Sequence, residues 1–189
     1  MNLFSDGVFV KLPVIDTPRL RLRPMTMADA ADVFEYSRDP KVAEHVLWDP
    51  HRNIGDSKAY LRYILRQYRS NEPSSFGIEF KRNGRLIGTI GFIWWNQQFR
   101  TAEVGYSINR AYWNQGLTTE ALKAVIHFGF EEMRLFRVEA QHEIDNPASG
   151  AVMTKAGMRK EGVLRGRIYN KGRHADVCLY AILRGDPRL

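Results

Sequence analysis

Apolar and polar positions in this chain repeat with two different periods. "RLRLRP" at 19–24 sets Leu20 and Leu22 on one side and basic residues on the other, and Pro24 ends the run. A period of two predicts a strand. Thr26 then caps a helix with Asp29 in its first turn, and Ala30, Val33, Phe34 and Ser37 fall on one helical face before Asp39-Pro40 closes it. A polar loop, "VLWDPHRNIGDS" at 46–57, leads to a second helix with Leu61, Ile64, Leu65 and Tyr68 at helical spacing.

From "FGIEFKR" onward the period returns to two. An Asn83-Gly84 turn joins it to "RLIGTIGFIWW", a strong hairpin signal, and "NQQFR" turns into "TAEVGYSI". In that last run Ala102, Val104, Tyr106 and Ile108 share one face, and Glu103, Gly105 and Ser107 the other. Leu117, Ala121, Val125 and Phe128 stripe a third helix, widened by Leu122, Ile126 and Gly129. "FRVEAQHEI" is a strand, Asn146-Pro147 caps and opens a short helix, and Gly157 ends it. "MRKEGVLRGRIY" and "ADVCLYAIL" are two further strands joined by a turn at Asn170-Lys171-Gly172. The order β-α-α-β-β-β-α-β-α-β-β predicts one mixed α/β (α+β) domain over residues 1–189. It has a largely antiparallel seven-stranded sheet and about four helices, with residues 1–17 as a short N-terminal extension.

Composition narrows the class. Hydrophobic residues make up 44% of the 189 and charged residues 26%, as in a globular protein. No apolar run nears the roughly 20 residues of a membrane span, and the N-terminus lacks the parts of a signal peptide, so a cytoplasmic location is expected. A single cysteine, Cys178, excludes an intrachain disulfide, and the five histidines form no HxxxH or HExxH pattern. No metal site is expected. The net charge of +7 suits an anionic partner, either RNA or a polyphosphate cofactor, or it is a solvated basic surface. The basic residues are scattered, which argues against nucleic acid.

"WNQGLTTEA" at 113–121 carries the first chemistry. It has neither GxGxxG nor GxxxxGK[ST], so dinucleotide and Walker readings fail. A strand, a loop and a helix start remain. Such a start offers unpaired amides and a positive dipole end to an anion. Gly116 brings no Cβ, and the Thr118 and Thr119 hydroxyls add donors. On these residues alone, an anion site and an ordinary capped helix start both stand.

Two longer segments add to this. "AEVGYSINRAYWNQGLTTEAL" and "DNPASGAVMTKAGMRKEG", in this order and separation, resemble the GCN5-related N-acetyltransferases (GNAT), most of all their ribosomal-protein N-terminal acetyltransferase branch. The resemblance runs from Leu20 to the end. It implies the GNAT fold, acetyl-CoA as cosubstrate and direct acetyl transfer to an amine. It places the pyrophosphate on Asn114, Gln115, Gly116, Leu117, Thr118 and Thr119, and the pantetheine arm on the backbone of Tyr106, Ser107 and Ile108. Asn146 is implied to contact that arm or a water. The family loop reads Q/R-x-x-G-x-G/A. This chain keeps Gly116 but has Trp113 at the first position, Asn114 where glycine is common, and Thr118 where glycine or alanine is usual.

The chemistry requires a neutral amine, yet an α-amine has a pKa of about 8 and a lysine about 10. A base is therefore needed, and the thioester oxygen and departing thiolate need donors. Glu103 matches the glutamate of the branch's E-I-G-Y segment and is the candidate base, acting through water. Ser149 is the candidate donor to the sulfur, because the tyrosine position used more widely in the family holds Met153. As ordinary structure, Glu103 is a solvent-facing strand residue, Ser149 a first-turn serine and Asn146 a helix cap. Trp48, Trp94, Trp95 and Tyr169 are candidate acceptor-lining residues, with only one of the adjacent Trp94 and Trp95 able to face the core; Glu161 and Asp176 are weaker candidates, and Cys178 reads as buried and inert.

The acceptor is expected to be a primary amine, a protein N-terminal α-amine among them. The alternatives are a small amine (polyamine, amino acid or antibiotic) or a non-catalytic acetyl-CoA sensor. The basic net charge weighs against a basic peptide. The oligomer is expected to be a monomer or homodimer.

Overall fold

The computed structural model describes residues 7–187. Among them one eight-stranded sheet runs β1 (Ile15–Asp16), β2 (Leu20–Arg23), β3 (Ser75–Phe80), β4 (Arg85–Asn96), β5 (Thr101–Ile108), β6 (Arg137–Glu143), β8 (Arg173–Leu183), β7 (Arg159–Asn170) from edge to edge. The expectation of seven strands is corrected by β1. This two-residue strand adds to β2 from within the segment read as an extension. The described residues form five α-helices: α1 (Ala30–Ser37), α2 (Pro40–Ala43), α3 (Ile54–Arg69), α4 (Leu117–Glu131) and α5 (Pro147–Lys155). Asp39-Pro40, read as a stop, instead starts the short α2. The Asp39 side chain accepts from the Lys41 amide, and Pro40 takes the first helical position, where no N–H is needed.

Residues 7–17 are not an appendage. Phe9 is fully buried and packs edge-on against Phe92 and Trp95, and its amide donates to Asn71 Oδ1. Burying a phenylalanine contributes about 2 kcal/mol. Phe9 sits in a largely apolar run with Val8, Val10, Leu12, Val14 and Ile15, which has neither strand nor helix alternation, so nothing in the sequence singles it out as the anchor.

Partners in register share a face of the sheet. Phe76, Ile90 and Tyr106 lie on one face together with Phe92 and Val104, and α4 covers it through Phe128, 5.5 Å from Phe76. The predicted stripe of α4 is buried as expected. On the other face Tyr36 of α1 and Tyr60 of α3 meet Thr89 of β4. Two features of the sheet position the site. First, β4 bulges between Phe92 and Trp94, so Trp94 pairs with Glu103 and Trp95 with Ala102. Second, β5 and β6 are parallel and pair only at Thr101–Glu103. Beyond Glu103 the two strands have no register partners in each other. In an antiparallel pair alternate residues turn amide and carbonyl away from the partner, so β5 past Glu103 keeps hydrogen-bonding groups turned toward this gap.

Candidate active site

Glu103 stands where the parallel pairing stops. It is 7% exposed, and its Oε2 accepts the Trp94 indole N–H at 2.7 Å. It is therefore not the solvent-facing strand glutamate of the ordinary reading. Burial pushes its carboxyl above the usual range and Glu139 adds to this, while hydrogen bonds from Trp94 and Gln141 and the charge of Arg167 oppose it. A carboxylate so raised is a stronger base than an exposed one.

Ser149 comes to the gap from the opposite face, in the first turn of α5. Its Oγ lies 2.8 Å from the Tyr106 hydroxyl, and its carbonyl accepts from the same hydroxyl at 3.1 Å. Asn146 caps α5, its Oδ1 accepting from the Ser149 amide at 3.3 Å. Glu103 and Ser149 thus flank β5 on opposite faces.

The loop at the start of α4 shows why its residues are what they are. Gly116, the N-cap, has φ 74°, and Asn114 has φ 59°. Both are left-handed, a conformation that glycine adopts freely and asparagine tolerates better than most residues. Asn114 is thus a substitute for glycine in conformation. Gly116 provides no side-chain cap, so the first-turn amides of Leu117, Thr118 and Thr119 meet no acceptor from it. Trp113 is no phosphate ligand in this geometry: its indole N–H donates to the Ile108 carbonyl at 2.8 Å and ties the loop to the end of β5. That carbonyl, within the segment expected to meet the pantetheine arm, already has a partner.

Arg19 was not visible as part of this loop. Its guanidinium donates to the Gln115 carbonyl at 2.8 Å and to Glu120 in the first turn of α4, and Glu120 also accepts from Thr17 Oγ1 and the Arg19 amide. Burial penalises the Glu120 carboxylate, but these donors outweigh it and hold its carboxyl below the usual range. No local pattern links positions a hundred residues apart.

The acceptor candidates divide. Glu139, Gln141 and Glu143 share the face of Glu103, because Glu103 is in register with Glu139. On that side His45 and the residues around Trp48 come against the β7–β8 hairpin. His45, Asn170 and Arg173 all contact the buried Glu143, and Lys171 Nζ donates to the Val46 and Trp48 carbonyls. Trp48 packs on His51, and Tyr169, 65% exposed, stacks edge-on against His174 near the hairpin turn. Trp95 does not join them. The bulge sends it to the face of Ala102, where it packs on Phe9, and Trp94 takes the place beside Glu103. Glu161 is engaged by Arg137, and Asp176 accepts the Gly166 amide. Cys178 is buried. Among the described residues no His/Cys/Asp/Glu cluster suits a metal, and no helix is long and apolar enough to cross a membrane.

This arrangement offers a buried base, a hydroxyl donor and backbone amides around one gap. Residues 19–159 match the family model described as an acetyltransferase (GNAT) domain. The chain belongs to the GNAT acetyltransferases. It is an acetyl-CoA-dependent N-acetyltransferase. Its relatives include the uncharacterized N-acetyltransferase YoaA of Bacillus subtilis strain 168, 33% identical over 172 residues that cover 91% of this chain and 97% of YoaA. The ribosomal-protein-serine acetyltransferase of Escherichia coli strain K12 is 33% identical over 100 residues, 53% of this chain and 56% of that protein. A crystal structure of a GNAT-family acetyltransferase from Bacillus anthracis superposes with a TM-score of 0.81 at 28% identity, over 90% of this chain and 98% of that one.

Proposed function

We propose that this acetyltransferase transfers acetyl from acetyl-CoA directly to a primary amine within a ternary complex, with Glu103 as base through water and Ser149 as donor to the sulfur. The observation that carries the reading is the end of β5–β6 pairing at Glu103, with the raised carboxyl on one face and the Ser149 hydroxyl on the other. Acetyl-CoA supplies the thioester. Glu103 takes the proton of the attacking amine through a water, Ser149 Oγ donates toward the sulfur, and backbone groups of Tyr106, Ser107 and Ile108 orient the arm. The amides of residues 114–119, with the left-handed turns at Asn114 and Gly116, hold the pyrophosphate. Asn146 keeps its cap and offers its amide nitrogen to the arm.

A protein amine, the N-terminal α-amine among them, is one acceptor class, in keeping with likeness to an Escherichia coli enzyme whose name gives ribosomal protein as its substrate. The basic net charge favours a small amine over a basic peptide. Calorimetric titration with acetyl-CoA is expected to show one-site binding, and lack of binding would sink the proposal. A panel of small amines and N-terminal peptides, assayed for free thiol, then decides the acceptor class.

A further inference from the structure

Ser149 is a weak acid on its own. A serine hydroxyl facing a departing thiolate gains little unless something restores density at its oxygen and fixes where its proton points. The Tyr106 hydroxyl is in place to do both. It lies 2.8 Å from Ser149 Oγ and 3.1 Å from the Ser149 carbonyl. The phenol has one proton and the carbonyl can only accept. When the phenol donates to the carbonyl, Oη is an acceptor for the serine proton. When it turns to Oγ, the serine proton is released to point into the gap. Burial pushes the phenol up to about 12, so it remains a donor across the working range. The tyrosine ring stands in register with Ile90 on the face that α4 covers, which holds Oη in position.

We propose that Tyr106 is a positioning residue for acetyl transfer, its hydroxyl orienting Ser149 Oγ and donating into it as charge grows on the sulfur. This rests on the role proposed for Ser149. In the step the N–C bond forms and the C–S bond breaks, with its electron pair going to sulfur. The amine proton passes by way of Glu103 to solvent, and the thiolate, held by the Ser149 hydroxyl, takes its proton from solvent on release. Tyr106 ends the cycle unchanged. A donor behind a donor strengthens the forward hydrogen bond cooperatively.

The test is Tyr106→Phe, which keeps the ring and removes the hydroxyl, beside Ser149→Ala and the double variant, with thermal melts to confirm folding. Tyr106→Phe is expected to lower kcat about tenfold with KM for acetyl-CoA and acceptor unchanged, and the double variant to be no slower than Ser149→Ala. A second reading needs no acceptor: the thiol of bound CoA, followed by its ultraviolet absorbance against pH. In the unaltered protein it is expected to ionise more readily than free CoA, and Tyr106→Phe to reduce that preference about threefold or more. Full kcat with an unmoved thiol titration in Tyr106→Phe overturns the role of Tyr106. So does a double variant in which the two losses multiply. Full activity in Ser149→Ala overturns the role of Ser149 and with it that of Tyr106, and failure of the unaltered protein to bind CoA removes the functional reading beneath both.

Discussion

The two ends of the candidate site are built by opposite means. The loop at 113–119 is local: left-handed Asn114 and Gly116 shape it, and the helix that follows supplies its amides. Distant residues such as Arg19 only brace it. On the face of Glu103 the order is reversed. Trp94, Gln141 and Arg167 set the carboxyl from three strands. Glu143 gathers His45, Asn170 and Arg173 from a loop and a hairpin. A backbone site tolerates side-chain change if its dihedral angles survive. A site made by side chains from many segments changes with any of them. Shared cofactor handling beside a variable acceptor is what this difference would produce.

Four substitutions test the contrast. Glu103→Gln is expected to lower kcat about 100-fold with acetyl-CoA affinity unchanged, read by steady-state kinetics and calorimetry. The proposed base works ionised and burial raises its pKa, so activity is expected to fall as pH drops through a value above that of an ordinary glutamate. That acid limb disappears in the glutamine variant. Glu143→Ala is next. It strands Arg173, His45 and Asn170, and a loss of about 2 kcal/mol in denaturant unfolding is expected, discounted because Arg173 is half exposed. Burial penalises the Glu143 carboxylate, but Asn170, His45 and Arg173 hold its carboxyl below the usual value. Its contribution is therefore full above the unfolded-state pKa and is lost as pH falls through the folded one. An unaltered unfolding midpoint would show that the Glu143 contacts to His45, Asn170 and Arg173 do not hold these segments together.

Gly116→Val asks whether the cofactor end depends on dihedral angle. A β-branched residue at positive φ costs roughly 1–2 kcal/mol and sets a Cβ 3.5 Å from Arg19 Nη2, so acetyl-CoA binding is expected to weaken about tenfold with kcat at saturation retained. Arg19→Ala gives the smallest effect, about threefold in the same affinity, since Arg19 is 47% exposed and its ion pair with Glu120 is screened. A larger loss than in Gly116→Val would reverse the comparison and make the brace the main determinant.

The same division governs what could be read without coordinates. Strands with a period of two, the α4 stripe and the Asn146-Pro147 cap are short-range patterns, and the structure has them where they were expected. Glu103 and Ser149 were named from a resemblance to known chains, and their burial and partners came from the fold. β1 was missed because two residues make no period. Trp95 was named among the aromatics expected to line the acceptor, and the bulge that turns Trp94 rather than Trp95 toward Glu103 leaves no mark in the sequence. The Arg19, Glu120 and Glu143 contacts join segments far apart in the chain, and no window of sequence contains them.

The bulge also says something about length. With regular pairing past Phe92, Ile93 would stand opposite Glu103 and Trp94 opposite Ala102. The additional residue moves each tryptophan one place along. Ile93 is therefore a spacer. Its deletion would leave Trp94 beside Glu103 and Trp95 beside Ala102, whereas loss of a neighbouring residue would change which side chain meets the carboxylate. Single-residue insertion and deletion at this point is thus a route by which a chain of this fold can exchange the group that donates to Glu103, with the helices and the sheet left in place.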